Sequence, residues 1–189
     1  MQNNEKPFVL AAILFGITAV VALLLACTNS ITADMIAENE AKEQDEARRA
    51  VMAEATSFEK VEAAASEDGV VKEIYRAENE SGETVGYCVS VAPNGFGGAI
   101  EMIVGVKTDE TLTGIKIVSL SETPGLGSKA QEPDFKDQFD DKSVKEPLTV
   151  IKSGTAKDNE VMAISGATIS SNAVTKGVNA AAEAVKNLK

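Results

Sequence analysis

The sequence predicts an α+β fold in which an antiparallel sheet packed with helices follows a single N-terminal transmembrane helix. Three observations predict it. The stretch from Pro7 to Ala26 is apolar and uncharged, short β-branched runs follow one another after Gly69, and the chain closes on apolar residues spaced at helical intervals. An antiparallel sheet buries one face against helices, which is the α+β arrangement.

PFVLAAILFGITAVVALLLA, residues 7–26, is long enough to cross a membrane, since about 20 apolar residues span a hydrocarbon core as a helix. Lys6 and the amino terminus precede this span, and the first basic residue after it is Lys42. The positive flank therefore predicts residues 1–6 in the cytoplasm and the rest of the chain outside it, with lipid contacting the apolar helix. Leu24-Leu25-Ala26-Cys27 also resembles a bacterial lipoprotein cleavage box. Lipidation at Cys27 would anchor the chain on the same side.

Residues 27–57 are expected to form a membrane-proximal stalk. From Ile31 to Ala55 there is no Gly or Pro, and Ile31, Met35, Val51, Met52 and Ala55 are scattered among many charges, so this reads as a solvated helix. The folded domain then occupies 58–189. Its expected strands are 70–77, 84–92, 99–108 and 112–121, joined at Ser81-Gly82, at the Pro93 to Gly98 loop and at Thr108-Asp109-Glu110. Each connection is too short for a helical crossover, so neighbours should be antiparallel. In the second strand Tyr87, Val89 and Val91 share one face, leaving Cys88 on the other as a half-buried thiol.

A further strand is expected at 148–153, and a short helix at 133–139 with Pro133 in its first turn. Ile169 to Leu188 is the clearest helix, with Val174, Val178, Ala181, Val185 and Leu188 on one face and Lys186 and Lys189 near its C-terminal end.

Composition removes several functions. The chain has 189 residues, a formal charge of −11 and no cluster of Lys and Arg, which disfavours nucleic acid and anionic lipid headgroups as partners. It has no His, so a Ser-His-Asp triad and His-ligated metals are excluded. Its 2 cysteines cannot supply four thiolates to an iron–sulfur cluster. If the chain moves electrons, a bound cofactor must carry them.

The small, hydroxyl-rich run Ile164-Ser165-Gly166-Ala167-Thr168-Ile169-Ser170-Ser171 leads into the last helix. Backbone N–H groups can approach an anion closely there, and a helix N-terminus adds unsatisfied donors and the positive end of the dipole. An ordinary Ser/Thr N-cap explains the same composition, and the two roles are compatible. A second feature is Ser121-Glu122-Thr123-Pro124-Gly125-Leu126-Gly127, where Pro124 suits the first corner of a type II turn and Gly125 the positive φ of the second. Glu122 and Thr123 would then face a ligand as acceptor and donor.

SGATISS resembles the flavinylation motif of the FMN-binding domain shared by the G subunit of Rnf complexes and the C subunit of sodium-pumping NADH:quinone reductases. The resemblance implies FMN joined by a phosphoester to Thr168, with Ser165, Gly166, Ala167, Ser170 and Ser171 around it. Glu122-Thr123-Pro124-Gly125-Leu126-Gly127 resembles the same family's flavin-pocket loop, and Gly86-Tyr87 with Gly95-Phe96-Gly97-Gly98 its GY strand and glycine-rich loop. Met162 stands where the motif read by the flavin transferase often has an acidic residue.

What the resemblance implies is an electron-transfer subunit of an ion-translocating ferredoxin:NAD oxidoreductase. Its partners would be the integral-membrane and peripheral subunits of the complex and, during maturation, the flavin transferase. No catalytic acid–base pair and no metal ligands are expected of the chain itself. The alternatives from other classes are a non-redox lipoprotein held through Cys27 and a stand-alone extracellular flavoprotein reductase.

Overall fold

The structure, a computed structural model, describes residues 7–62 and 69–188. The expected cytoplasmic segment 1–6, with Lys6, lies outside the described residues, as does Lys189. Two units can be distinguished, one through Lys42 and one over Glu43–Lys189. Helix α1 (Pro7–Val51) runs through the first and ends in the second.

Through Lys42, α1 is exposed almost throughout, including Phe8, Ile13, Leu14, Phe15 and Leu25. From Pro7 to Ala33 it carries no charged residue. A continuous exposed apolar surface marks a membrane or partner contact, and α1 is, by length and composition, long and apolar enough to cross a membrane.

In the second unit, β1 (Ser57–Val61), β2 (Val71–Glu78), β3 (Thr84–Val91), β4 (Ile100–Lys107) and β5 (Leu112–Leu120) form an antiparallel sheet in chain order. Short turns force this meander. Asn79 closes the β2–β3 turn by accepting hydrogen bonds from the Ser81 and Glu83 amides at 2.9 and 3.0 Å, and Gly82 supplies a φ of 76°. The Asp109 carboxylate does the same for the Thr111 amide at 3.0 Å in the β4–β5 turn.

Helix α3 (Thr168–Lys186) covers one face of the sheet. Its stripe of Val174, Val178, Ala181 and Val185 is fully buried against Ile74, Val89, Val91, Met102 and Val104, with Tyr87 and Leu188 packed at the margin. The α+β expectation and this helical face are both present. Residues 133–139 form one α turn, α2 (Pro133–Lys136), followed by a 3₁₀ turn at Asp137–Phe139. Phe135 and Phe139 pack edge to face at 5.6 Å and close the core beneath α3.

The expected strand near 148–153 is shorter, β6 (Thr149–Ile151), and does not join the main sheet. It pairs in parallel with β7 (Glu160–Met162). This small parallel pair delivers the chain to the start of α3.

Cys88 differs from expectation. It is completely buried, because the sheet's other face is also covered. The last turns of α1 and the segment after it place Ala47, Val51, Met52 and Ala55 against Ala77, Cys88 and Ile103. The stretch expected to be a solvated stalk is thus solvated in part and core in part. Burial pushes the Cys88 thiol up to about 12, against the opposing influence of Arg48, and makes it an unreactive core residue.

Apolar packing, rather than ion pairs, seats this end of α1. The pairs Arg49–Asp45 and Lys107–Glu54 are largely exposed and contribute at most about 1 kcal/mol each. Burying Val51 and Met52 contributes about 1.5–3 kcal/mol each. Gly105 allows the approach: a Cβ there would lie 2.9 Å from the Val51 carbonyl oxygen.

β1 gave little signal in the sequence. It is an edge strand with an exposed pattern, held by Ser57–Val61 pairing with Ile74–Glu78 and by Phe58 leaning on the second cluster.

Candidate functional site

Two similar turns meet at the N-terminus of α3. In the first, the Leu126 amide donates to the Thr123 carbonyl at 3.1 Å around Pro124 and Gly125, whose φ of 75° is what a type II turn requires at that corner. In the second, the Ala167 amide donates to the Ile164 carbonyl at 3.0 Å around Ser165 and Gly166, with φ 78°. The turns touch where Leu126 lies against Gly166; a Cβ on Gly166 would approach the Leu126 Cδ2 to 3.1 Å.

Between these turns and the β3–β4 loop opens a cleft of about 300 Å³, lined by Phe96, Glu122, Thr123, Leu126, Gly127 and residues 166–170. That is the lower end of ordinary small-molecule sites. Phe96, Leu126 and Ile169 stand exposed around it, at 69%, 43% and 56%, whereas the other described large apolar side chains of this domain are buried or half-buried. Among the described residues no Lys or Arg lines the cleft.

Glu122 holds the walls together. It is 7% exposed. One carboxylate oxygen accepts the Phe96 and Gly97 amides at 2.8 and 3.1 Å, and the other accepts the Ser170 hydroxyl at 2.7 Å. One side chain therefore ties the β3–β4 loop to the first turn of α3. Burial is the largest single influence on its acidity and pushes it up, but hydrogen bonds from Ser170, Gly97 and Phe96 outweigh it and hold the carboxyl below its ordinary 4.5. The stability it contributes is present above that ordinary value and lost as the pH falls through the lower folded value.

The glycines of both motifs serve this carboxylate. A Cβ on Gly127 would collide with the Glu122 and Ser170 side-chain oxygens, and one on Gly95 with the other Glu122 carboxylate oxygen; one on Gly97 would meet the Ser121 carbonyl instead.

The hydroxyls at the start of α3 divide by their commitments. Ser171 accepts the Ile164 amide at 2.9 Å and donates to the Ala167 carbonyl at 3.0 Å, inside the fold. Ser170 is committed to Glu122. Ser165 faces an adjacent hollow with Lys129, Phe135 and Gln138 rather than the cleft. Thr168, half-buried on the cleft wall, has no side-chain hydrogen bond among the described residues. Ala167 occupies the N-cap and offers no side-chain acceptor, so the Ser/Thr cap is absent and the first-turn N–H groups lack that partner.

The structure thus brings Glu122, Thr123, Leu126, Gly166, Ala167, Thr168 and Ser170 to one cleft. Pro124 and Gly125 shape its rim from outside, and Ser171 braces it from beneath. Tyr87 sits on β3 opposite Arg76 and Val106, away from the cleft lining. Phe96 and Ile169, absent from the expected site, line it; an aromatic residue inside Gly-Phe-Gly-Gly was the available signal for the first.

Gly127→Ala should lower unfolding stability by about 1–3 kcal/mol, the usual cost of overpacking a tight site. Gly98→Ala, where a Cβ would have ordinary room at 3.5 Å from Ser121 Cβ, should change it by less than about 0.5 kcal/mol. Urea unfolding of both variants checks this, and equal effects would contradict the packing around Glu122.

Residues 95–183, which include both turns and the glycine-rich loop, match the FMN-binding domain family. The G subunit of the Na(+)-translocating ferredoxin:NAD(+) oxidoreductase complex of Acetobacterium woodii is 43% identical over 208 residues, covering 100% of this chain and 99% of the relative. The G subunit of the proton-translocating complex of Clostridium ljungdahlii is 36% identical over 163 residues, covering 86% and 83%. Among solved structures, the C subunit of the Na(+)-translocating NADH-quinone reductase of Parabacteroides distasonis is similar, with a TM-score of 0.52 and 28% identity over 62% of each chain. Identity of 43% and 36% over most or all of two named G subunits, an FMN-binding domain and a cleft at its two motif turns lead to one assignment: the chain belongs to the G-subunit family of ion-translocating ferredoxin:NAD(+) oxidoreductase complexes.

Proposed function

We propose that this chain is the electron-carrying subunit of such a complex and that its FMN is joined by a phosphoester to Thr168. The observation that carries the covalent assignment is the free hydroxyl of Thr168, on the cleft wall at the start of a 19-residue helix, where the hydroxyls of Ser170 and Ser171 are already committed and Ser165 faces an adjacent hollow. The residues fit the group. First-turn N–H groups of α3 and the positive end of its dipole would hold the phosphate. The apolar rim of Phe96, Leu126 and Ile169 would shield a flat heterocycle on the cleft side. When bound, FMN supplies one- and two-electron transfer.

The protein's part is to bind and orient. A flavin transferase would form the bond from the Thr168 hydroxyl oxygen to the phosphorus of an activated donor, a flavin dinucleotide, as the bond from that phosphorus to the leaving nucleotide breaks; the hydroxyl proton departs and the nucleotide leaves as its monophosphate. Gly166 and Ala167 leave that oxygen accessible, since neither places a bulky side chain beside it. The tether would keep the cofactor in place through each turnover, which suits a relay within a membrane complex better than a site that exchanges substrate.

In this reading α1 anchors the chain in lipid, the amino terminus lies in the cytoplasm, and the domain after Ala26 lies on the other side, as the basic flank argues. Cysteine introduced at Asp34 or Glu80 should react with a membrane-impermeant thiol reagent on intact cells. Labelling only after lysis would reverse the orientation.

Thr168→Val keeps the side-chain shape and removes the oxygen of the ester. In protein from the native host, the denatured wild-type band should fluoresce and its peptide containing Thr168 should carry the mass of FMN less one water; the variant should show neither while melting like wild type. Ferredoxin-dependent NAD(+) reduction by membranes should fall to background. Flavin on Ser165 or Ser170, or full activity in the variant, would refute the proposal.

A further inference from the structure

The cleft's electrostatics are unusual for a site that receives electrons. Glu122 is a carboxylate on its wall, all but removed from water, with three hydrogen-bond donors aimed at it. No cation lines the cleft among the described residues. The positive end of α3 lies at Thr168, where an esterified phosphate would use it. Glu122 has also committed three of its about four acceptor positions to Phe96, Gly97 and Ser170, so its charge rather than its remaining lone pair is what it chiefly offers a heterocycle.

We propose that Glu122 acts on the cofactor as a fixed negative charge in the cleft wall, making FMN in this protein harder to reduce. This rests on FMN occupying the cleft. Oxidised flavin takes up two electrons and one proton to give a reduced ring with one added negative charge. The electrons come from a low-potential iron–sulfur donor and the proton from solvent. Added negative charge close to a carboxylate that is itself all but removed from water is disfavoured by Coulomb repulsion, which the low dielectric around that carboxylate strengthens. The donors around Glu122 keep it charged, in agreement with the direction of its acidity shift.

The same geometry supplies a variant that keeps the architecture. In Glu122→Gln the amide oxygen can still accept the Phe96 and Gly97 amides, and the amide NH₂ can donate to the Ser170 oxygen, so shape and bond count persist while the charge goes. Ser170→Ala does the reverse, since it keeps the charge and removes an O–H dipole that partly offsets it. A positioning role alone would move both variants in one direction. A fixed charge moves them in opposite directions.

The test is spectroelectrochemical titration of the full-length chain, purified with its flavin attached, at pH 8. Glu122→Gln should favour the reduced flavin about tenfold, a rise of about 30 mV for the two-electron couple. Ser170→Ala should lower the potential. Potential is read only from flavin-bearing protein, so poor flavin attachment does not disturb it. If Glu122→Gln fails to fold, Ser170→Ala decides, and an unchanged or raised potential there overturns the proposal. Flavin present with an unchanged or lowered potential in Glu122→Gln overturns this inference alone. Wild-type chain from the native host without flavin overturns it together with the functional reading.

Discussion

The Glu122 carboxylate is the tie on which the cleft depends. Its two oxygens join parts of the chain remote in sequence, the loop after β3 and the first turn of α3, and the glycines on either side are small because the carboxylate leaves no room for a Cβ. A charge taken this far out of water is costly unless fully hydrogen-bonded. Three donors meet that cost, and in doing so they fix the distance between Phe96 and Thr168, the two ends of the cleft wall. The turn at Pro124 and Gly125 and the turn at Gly166 then press together at Leu126, so that a rigid pocket results from segments with little regular structure of their own.

The sheet beneath provides the rigidity. One face carries α3 and fixes where its N-terminus points; the other carries the end of α1, so the sheet is buried on both sides. Cys88, Met52 and Ile103 belong to that second core. The domain's core therefore begins inside α1, at its last turns.

Much of this was legible in the sequence where periodicity or turn chemistry acts locally. The β2–β5 runs, the α3 stripe and the Pro124-Gly125 turn follow from alternation, helical spacing and the φ that only Gly adopts without strain. Three features were not legible, for a common reason: each depends on contacts between distant residues. Cys88 looked half-buried because its strand face gains a covering only from α1. β1 is an exposed edge whose residues alternate weakly and whose pairing with β2 decides its conformation. The N-cap of α3 was expected to be Ser or Thr, but Ser170 and Ser171 are drawn instead to Glu122 and Ile164, leaving Ala167 at the cap. Thr168, the first helical residue, makes no side-chain hydrogen bond among the described residues. The motif singled out Thr168 by resemblance; the hydrogen bonds around it show that the Ser170 and Ser171 hydroxyls are already engaged.

Glu122 mechanically joins the β3–β4 loop to α3. Amide hydrogen exchange at Phe96 and Gly97 tests it most directly, because both lie in a loop beside exposed side chains and gain protection chiefly from that carboxylate. In the wild-type chain both amides should exchange slowly, and in Glu122→Ala both should exchange as fast as an open loop while the amides of β3 and β4 remain protected. Fast exchange at Phe96 and Gly97 in the wild type, or no change in the variant, would show that the carboxylate does not hold the loop to the helix.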